Sequence, residues 1–496
     1  MRTVCFFLFV LWSGFAMKAT VLEIGVGKQF ARLQQAASQA KPGDTLLIRE
    51  GVYPGGDYIE KLQGTEQNYI VIRAAQGEQV IFRGGSQAFH LTDPAYLKIE
   101  GLIFEQQTSN GVNIDDGGSY DTPAHHIVIS NCEWRSMNAT GNNDELKMSG
   151  VDSFTITRCR FVNGSPGGSL IDMVGCHYGI FSDNYFENGG SNCIQAKGGT
   201  AHILITRNRF INGGERAVNI GGSTGLQFFR PLETKYEAAF IRVVSNIFIG
   251  SNAPIAFVGA VQCEVANNTI HRPVRWAVRI LQETVGNGFL PCGNNSFHDN
   301  IIVFSSAQPA FNIGGNTAPE TFSYGWNLWY NPDNVSWAGP NIPADDKDPA
   351  RIIADPLFID TMNFIPSSLS PAIGSGSPEI ADYSDFNGRQ FSTIAAMGRN
   401  RARGAVELYS TQSLSDNSLQ SSILYPNPTS GEVFCALSHG IIMPYVTLTH
   451  SVNGNSFLLP VLWRENGISF HCMSIPAGTY FVQSGQNVLG KIVLIR

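Results

Sequence analysis

The sequence predicts an all-β protein: a right-handed parallel β-helix with a short N-terminal capping helix, followed by a small C-terminal β-sandwich. Three observations predict it. Short strand-like segments recur through the middle of the chain. Each carries Asn or Cys at one fixed phase. No amphipathic helix of about 10–15 residues separates them, as a βαβ sheet would require.

The recurring segments read HIVISNCEWRSMN from His126, SFTITRCRFVNG from Ser153, YGIFSDNYFENGG from Tyr178 and HILITRNRFINGG from His202. They continue as IRVVSNIFIG from Ile241, CEVANNTIHRP from Cys263 and FHDNIIVF from Phe297. Each alternates β-branched or aromatic residues at period two, the strand signature, and recurrence at this spacing signals stacked repeats. Cys132, Cys159, Asn184, Asn208, Asn246, Asn268 and Asn300 hold one phase. In a parallel β-helix, residues of one phase lie above one another. Buried Asn side chains can then hydrogen-bond along the stack and satisfy turn backbone groups. Cys132 and Cys159 read as small buried apolar residues at two levels of that stack, with a disulfide between them as the alternative.

The ends need covers, because a solenoid otherwise exposes its terminal hydrogen-bonding edges. Phe30, Leu33, Ala36, Ala37 and Ala40 fall at helical spacing within Gln29–Ala40, predicting an amphipathic capping helix. The stretch KPGDTLLIREGVYPGG from Lys41 then reads as a turn and a strand.

The chain flanking the β-helix divides as follows. Residues 1–19 read as a signal peptide: Arg2, an apolar run from Val4 to Trp12, then small residues Gly14, Ala16 and Ala19. The β-helix is assigned to 20–408. STQSLSDNSLQSS is Ser-rich and polar, so 409–421 reads as a linker, and 422–496 as a separate module. No other stretch is apolar enough to predict a transmembrane helix.

Composition narrows the function. Charged residues are 15% of the chain and hydrophobic residues 43%, which excludes a disordered chain. The net charge of -7 disfavours nucleic acid as a partner. The chain has no CxxC pair, and His125–His126 lacks a second pair of ligands at metal-site spacing, so a zinc site is not expected. A monomer is expected.

Strand alternation assigns an outward row to the second strand of each coil. Lys147 points out in LKMSG, Asp172 in LIDMVG, Gln195 and Lys197 in CIQAKGG, Asn219 in RAVNIGG and Arg279 in VRIL, with Arg216 at the edge. A polar row on a rigid ladder suits an extended anionic glycan. A uronate lyase must neutralise the substrate carboxylate, remove the adjacent proton and protonate the leaving oxygen. A lysine can be the base. An arginine can hold the carboxylate in a two-pronged contact, or calcium can neutralise it through oxygen ligands such as Asp172. A glycoside hydrolase on the same scaffold would instead need two carboxylates facing one groove, for which Asp172 with Asp144 or Glu145 is the available pair. A glycan-binding protein without turnover is the third reading. The glycine pairs Gly198–Gly199 and Gly221–Gly222 are expected to let a ligand approach the backbone.

Several stretches resemble known families. AxxAKPGDTLLIREGVY, the N-x-F coils, and the exit segments ADPLFID, SLSPAIGSGS and RGAVEL resemble secreted pectate-lyase-like β-helix proteins across Val21–Leu408. The stretch from Asn192 to Gly222 is similar to the lysine-bearing coil pair of polysaccharide lyase family six, the alginate lyase and chondroitinase B-like enzymes. That resemblance implies Lys197 as base and a neutralising calcium. It also puts Asn219 where the family has arginine, leaving Arg216 or Arg279 to substitute, and puts Gly190 and Asn192 where its acidic calcium ligands fall. The resemblance thus points to Lys197 as a catalytic residue with Arg216 in place of the family's arginine, while the outward row offers Lys147, Asn219 and Arg279 as substrate-binding residues and Asp172 as a calcium ligand, a hydrolase acid or a salt-bridge partner of Lys147 or Lys197. YPNPTSGE from Tyr425, AGTYFV and the basic-aliphatic GKIVLIR end resemble the C-terminal sorting domain of type IX secretion substrates in Bacteroidetes. This implies export, with the secretion machinery as a partner and the cell surface or medium as destination.

Overall fold

The computed structural model describes residues 19–407, apart from 120, 345, 346, 380 and 392–399, together with strand segments between 424 and 494. The expected leader, except its last residue, and the linker lie outside the described residues, as does most of YPNPTSGE. The chain divides into two compact units, Met1–Tyr409 and Ser410–Arg496.

The first unit is a parallel β-helix. Its described strands form three long sheets of 14, 10 and 12 strands, and successive coils pair in parallel. One coil shows the pattern. Leu146–Ser149 lies in the ten-stranded sheet, Val151–Thr157 in the fourteen-stranded sheet and Arg160–Val162 in the twelve-stranded sheet. The next coil repeats it with Ser169–Val174, His177–Ser182 and Tyr185–Glu187. The ten-stranded sheet carries the outward polar row and is called the site sheet below.

The predicted stack of one phase is present and longer than expected. The Asn208 side-chain carbonyl accepts from the Asn184 backbone N–H and from Asn184 Nδ2, both at 3.0 Å. The same rung repeats from Asn208 to Asn246, Asn246 to Asn268 and Asn268 to Asn300. Asn327 extends the ladder and Asp348 ends it. Each Nδ2 also donates to a strand carbonyl of the preceding coil, as Asn208 does to Phe181 at 2.9 Å. Cys159 starts the ladder through its backbone N–H, which donates to Asn184 Oδ1 at 2.9 Å.

Inside the coils, Trp134, Phe161, Phe186, Phe210 and Phe248 stack nearly face to face, with centroids 4.6–5.1 Å apart. The spacing follows from the roughly 4.8 Å separation of paired strands. Burying each ring contributes on the order of 1.5–3 kcal/mol, which makes this column a main source of cohesion between coils.

The capping helix is shorter than the periodicity predicts: Leu33–Ala37, with Leu33, Ala36 and Ala37 buried. Phe30 is instead held in a bridge to Ile24, so the chain is extended there. After Ala37 the chain tightens into turns, with Gln39 N donating to Ala36 O at 3.0 Å and Ala40 N to Ala37 O at 3.3 Å. Cys132, Cys159, Cys176, Cys193, Cys263 and Cys292 are free and buried, so no disulfide joins Cys132 to Cys159. Burial pushes the thiols of Cys176 and Cys263 up to about 12.

The exit segments run along the outside of the same unit. Arg403 of RGAVEL is buried and donates to the carbonyls of Asn327, Ala350 and Ser375. Arg401 pairs with buried Asp299 at 2.5 Å. The second unit contains two four-stranded antiparallel sheets, one of them ordered Ser456–Pro460, Tyr445–His450, Gly478–Ser484, Asn487–Leu494. Among the described residues no helix is long and apolar enough to cross a membrane.

Two outcomes are expected from this architecture. Asn208→Leu leaves the two Asn184 donors without their acceptor and lowers unfolding free energy by about 1–3 kcal/mol for each buried orphan; denaturant titration of the purified protein measures it. The six β-helix thiols stay unmodified by a thiol reagent in native buffer and react only in denaturant, as mass spectrometry would record.

Candidate active site

The register of the site sheet is explicit. Lys147 pairs with Asp172, Asp172 with Gln195, Gln195 with Asn219, Asn219 with Ala256, and Ala256 with Arg279. Asn312 continues the row beyond Arg279, and Asn113 and His90 precede Lys147. The expected row is therefore real, with two changes. Gln195, not Lys197, occupies the shared column. Lys197 stands two residues further along its strand, in register with Val174.

Asp172 and Asn219 are outward by strand parity but closed off from solvent, at 1% and 0% exposure. Long cationic side chains roof them. Lys147 Nζ makes a short ion pair with Asp172 Oδ2 and lies 3.7 Å from Asp144. Lys197 Nζ sits 3.4 Å from Asp172 Oδ1 and 3.4 Å from Gln195 Oε1. Asn219 Oδ1 accepts from Arg216 Nη1 at 3.3 Å. Burial disfavours the Lys147 ammonium, but the Asp172 and Asp144 carboxylates outweigh it and raise its pKa. Burial, then repulsion from Asp172, pushes Asp144 up to about 6. Glu145 is fully buried, and burial raises its pKa well above the usual carboxylate range.

Beside this roofed row opens a cleft of about 330 Å³, bordered by Gln195, Lys197, Arg216, Asn219, Arg279 and Glu283 among others. The three cations differ in their ties. Arg216 is paired with Glu283 at 2.7 Å. Among the described residues, Lys197 Nζ is held by two contacts near 3.4 Å. Arg279 has no carboxylate within ion-pairing distance among the described residues; its Nε donates to Asn312 Oδ1 at 3.0 Å and its guanidinium lies 4.7 Å from the Trp276 ring centre. Burial and the nearby Arg216 charge both lower its pKa. Arg279 is thus positioned by neutral contacts, with its charge left for a ligand.

The loop after the Arg216 strand is pinned beside the cleft. Glu237 is buried and accepts from Gly198 N at 2.9 Å, Thr224 N at 3.0 Å, Thr224 Oγ1 at 2.8 Å and the Thr284 hydroxyl. Arg230 grips Asp152 through two bonds of 2.7 and 2.8 Å. Burial alone would raise the Asp152 pKa, but this grip holds it down to about 2. The glycine pairs serve this packing rather than the expected ligand approach. A Cβ on Gly198 would come within 2.8 Å of Val174, and one on Gly222 within 2.7 Å of Gln195.

The donor set does not fit a calcium ion at Asp172. Two ammonium groups already flank its carboxylate, Gly190 offers no side chain, and among the described residues no three His, Cys, Asp or Glu side chains converge. Of the readings open for Asp172, the contacts fit the salt bridge with Lys147 and Lys197 and not the metal ligand. Sequence reading also missed Trp276, Asn312, Glu283 and the upstream members His90 and Asn113. The alternation FHLT and VNID was the available signal for the last two.

Comparison with known proteins gives one family match and several distant solved structures. The chondroitinase B family model matches residues 28–177, which end before Lys197. No curated protein sequence matches the chain. Among solved structures, an alginate lyase from Paenibacillus is 17% identical, with 68% of this chain and 99% of that one covered and a TM-score of 0.41. Pectate lyase Pel9A is 14% identical, covering 80% and 98%, at 0.43. A family six polysaccharide lyase from Pseudopedobacter saltans is 12% identical, covering 71% and 96%, at 0.41.

A pH prediction follows from Asp144. Its folded pKa lies above the ordinary 3.8, so the folded state binds the extra proton between about pH 4 and 6. Its contribution is intact below that window and is lost as pH rises through it. Asp144→Asn keeps an acceptor for the Ser169 N–H and flattens the stability loss between pH 4 and 6, as urea unfolding across that range would measure.

Proposed function

We propose that the protein is a polysaccharide lyase that cleaves an anionic, uronate-containing glycan by β-elimination. The observation that carries the reading is Arg279: a guanidinium in a polar cleft, braced by Trp276 and Asn312 and with no carboxylate partner among the described residues, beside the loosely held Lys197. In this reading Arg279 takes the substrate carboxylate in a charge-assisted contact and draws electron density from the adjacent carbon. Lys197, once its ammonium has given up a proton to solvent, removes the proton on that carbon. Arg216, kept at the cleft edge by Glu283, stabilises charge on the leaving glycosidic oxygen, with protonation completed by solvent. Lys147 and Asn219 act below the cleft: Lys147 shares the Asp172 charge so that Lys197 is not locked, and Asn219 holds Arg216. The chondroitinase B family match to the N-terminal coils supports a lyase on this scaffold.

A hydrolase reading has less support. Its two carboxylates must reach the glycosidic bond, and Asp144 and Asp172 are only 3% and 1% exposed beneath the lysines. The leader and the YPNPTSGE-bearing module support, in this proposal, export by type IX secretion and display at the surface or release.

The test is incubation of the mature protein with alginate, pectate and glycosaminoglycans, following absorbance of the unsaturated uronate. Lys197→Ala is expected to lower the rate about a hundredfold or more. Arg279→Ala is expected to weaken kcat/KM about ten- to a hundredfold, the value of a charged hydrogen bond. New reducing ends without that absorbance would establish a hydrolase. Binding without either signal would establish a glycan-binding protein.

A further inference from the structure

The site sheet carries a second titratable cluster four coils before the Gln195–Lys197 strand. Tyr58, His90 and Asn113 are register partners in successive coils, and Asp115 lies two residues beyond Asn113 on its strand. His90 Nε2 makes a short hydrogen bond to Asp115 Oδ2. The Asn113 amide lies 2.8 Å from the same His90 nitrogen and donates to Asp115 Oδ2 at 3.0 Å. The Gly117 N–H donates to the other carboxylate oxygen at 3.0 Å. Tyr58 stands edge-on to the imidazole, with centroids 5.0 Å apart and an interplanar angle of 88°, and its oxygen accepts from Thr92 Oγ1 at 3.2 Å.

These groups face solvent. Tyr58 is 45% exposed and the His90 side chain 25%. Burial would raise the Asp115 pKa, but the His90 and Gly117 bonds reverse that and lower it, so Asp115 is a carboxylate that fixes the imidazole. With the Nε2 proton directed to Asp115, Nδ1 keeps its lone pair, and no hydrogen bond reaches it among the described residues. An oriented imidazole, a phenol and an amide on one exposed row form an acid–base set. Four coil steps of about 4.8 Å place it about 19 Å from the Lys197 cleft, so one sugar cannot touch both.

We propose that Tyr58, His90 and Asp115 form a second acid–base centre that performs β-elimination on the same uronate glycan, an inference that rests on the lyase reading above. His90 Nδ1 takes the proton α to the carboxylate. The C–H electron pair becomes the new carbon–carbon double bond, and the bond from the β-carbon to the glycosidic oxygen breaks. That oxygen takes the Tyr58 phenolic proton, and the phenolate recovers a proton from the imidazolium through solvent. Asn113, on the same row, faces the substrate carboxylate.

The experiment compares Lys197→Ala, Lys197→Ala/His90→Gln and Lys197→Ala/Tyr58→Phe with the wild-type full chain on a uronate glycan, with thermal melts confirming folding. Lys197→Ala is expected to retain elimination at roughly a hundredth of the wild-type rate. Adding His90→Gln should take that residue of activity to background, and Tyr58→Phe, which conserves the ring, should lower it at least tenfold. Loss of all elimination in Lys197→Ala while the wild type is active overturns this centre alone. So does residual activity that His90→Gln and Tyr58→Phe leave unchanged. A wild type that eliminates on no uronate glycan overturns the lyase reading and this centre together.

Discussion

The asparagine ladder is the constraint on which the site depends. At each turn from the fourteen-stranded to the twelve-stranded sheet, a backbone N–H is buried with no acceptor in its own coil. The Asn side chain of the following coil supplies one, and its own N–H is satisfied in the same way one level on. The rung admits one alignment of neighbouring coils. A slip by one residue would orphan buried donors and turn every inward side chain outward. Because the ladder fixes register from Asn184 to Asn327, and the aromatic column repeats it inside, the polar residues of the site sheet are forced into vertical rows.

That forced stacking explains the electrostatics. Asp172 lies in register with Lys147 and next to Lys197, so two ammonium groups converge on one buried carboxylate. Lys147 takes the tight pairing and Lys197 the looser one. In the same way Arg216 is committed to Glu283, and Arg279, two coils beyond Asn219, is braced among the described residues by an aromatic ring and an amide. The differences among these cations come from which coil each occupies. The Glu237 and Arg230 anchors hold the neighbouring loop against the coil edge, so the cleft wall is fixed before any ligand arrives.

A β-helix by itself does not specify a reaction, since the same coils support lyases, hydrolases and binders. The site residues must do so. The matched family segment covers the N-terminal coils, including Tyr58, His90 and Asp115, whereas the Lys197–Arg279 cleft lies beyond it. The two clusters on one face are thus separated in sequence as well as along the helix axis.

The sequence by itself determined the β-helix, the stacked Asn phase, the burial of Cys132 and Cys159 and the outward parity of Lys147, Asp172, Asn219 and Arg279. These follow from local alternation and from one repeated residue, and both are written in the chain. Tertiary structure alone decided the rest. Parity could not show that Asp172 and Asn219 lie beneath lysine and arginine side chains, because roofing depends on the length of neighbours one coil away. It could not place Lys197 off the shared column, since that offset is set by coil register. It also could not show that Gly198 and Gly222 make room for the protein's own Val174 and Gln195, or that Asp115 meets His90, because those contacts join residues from different coils.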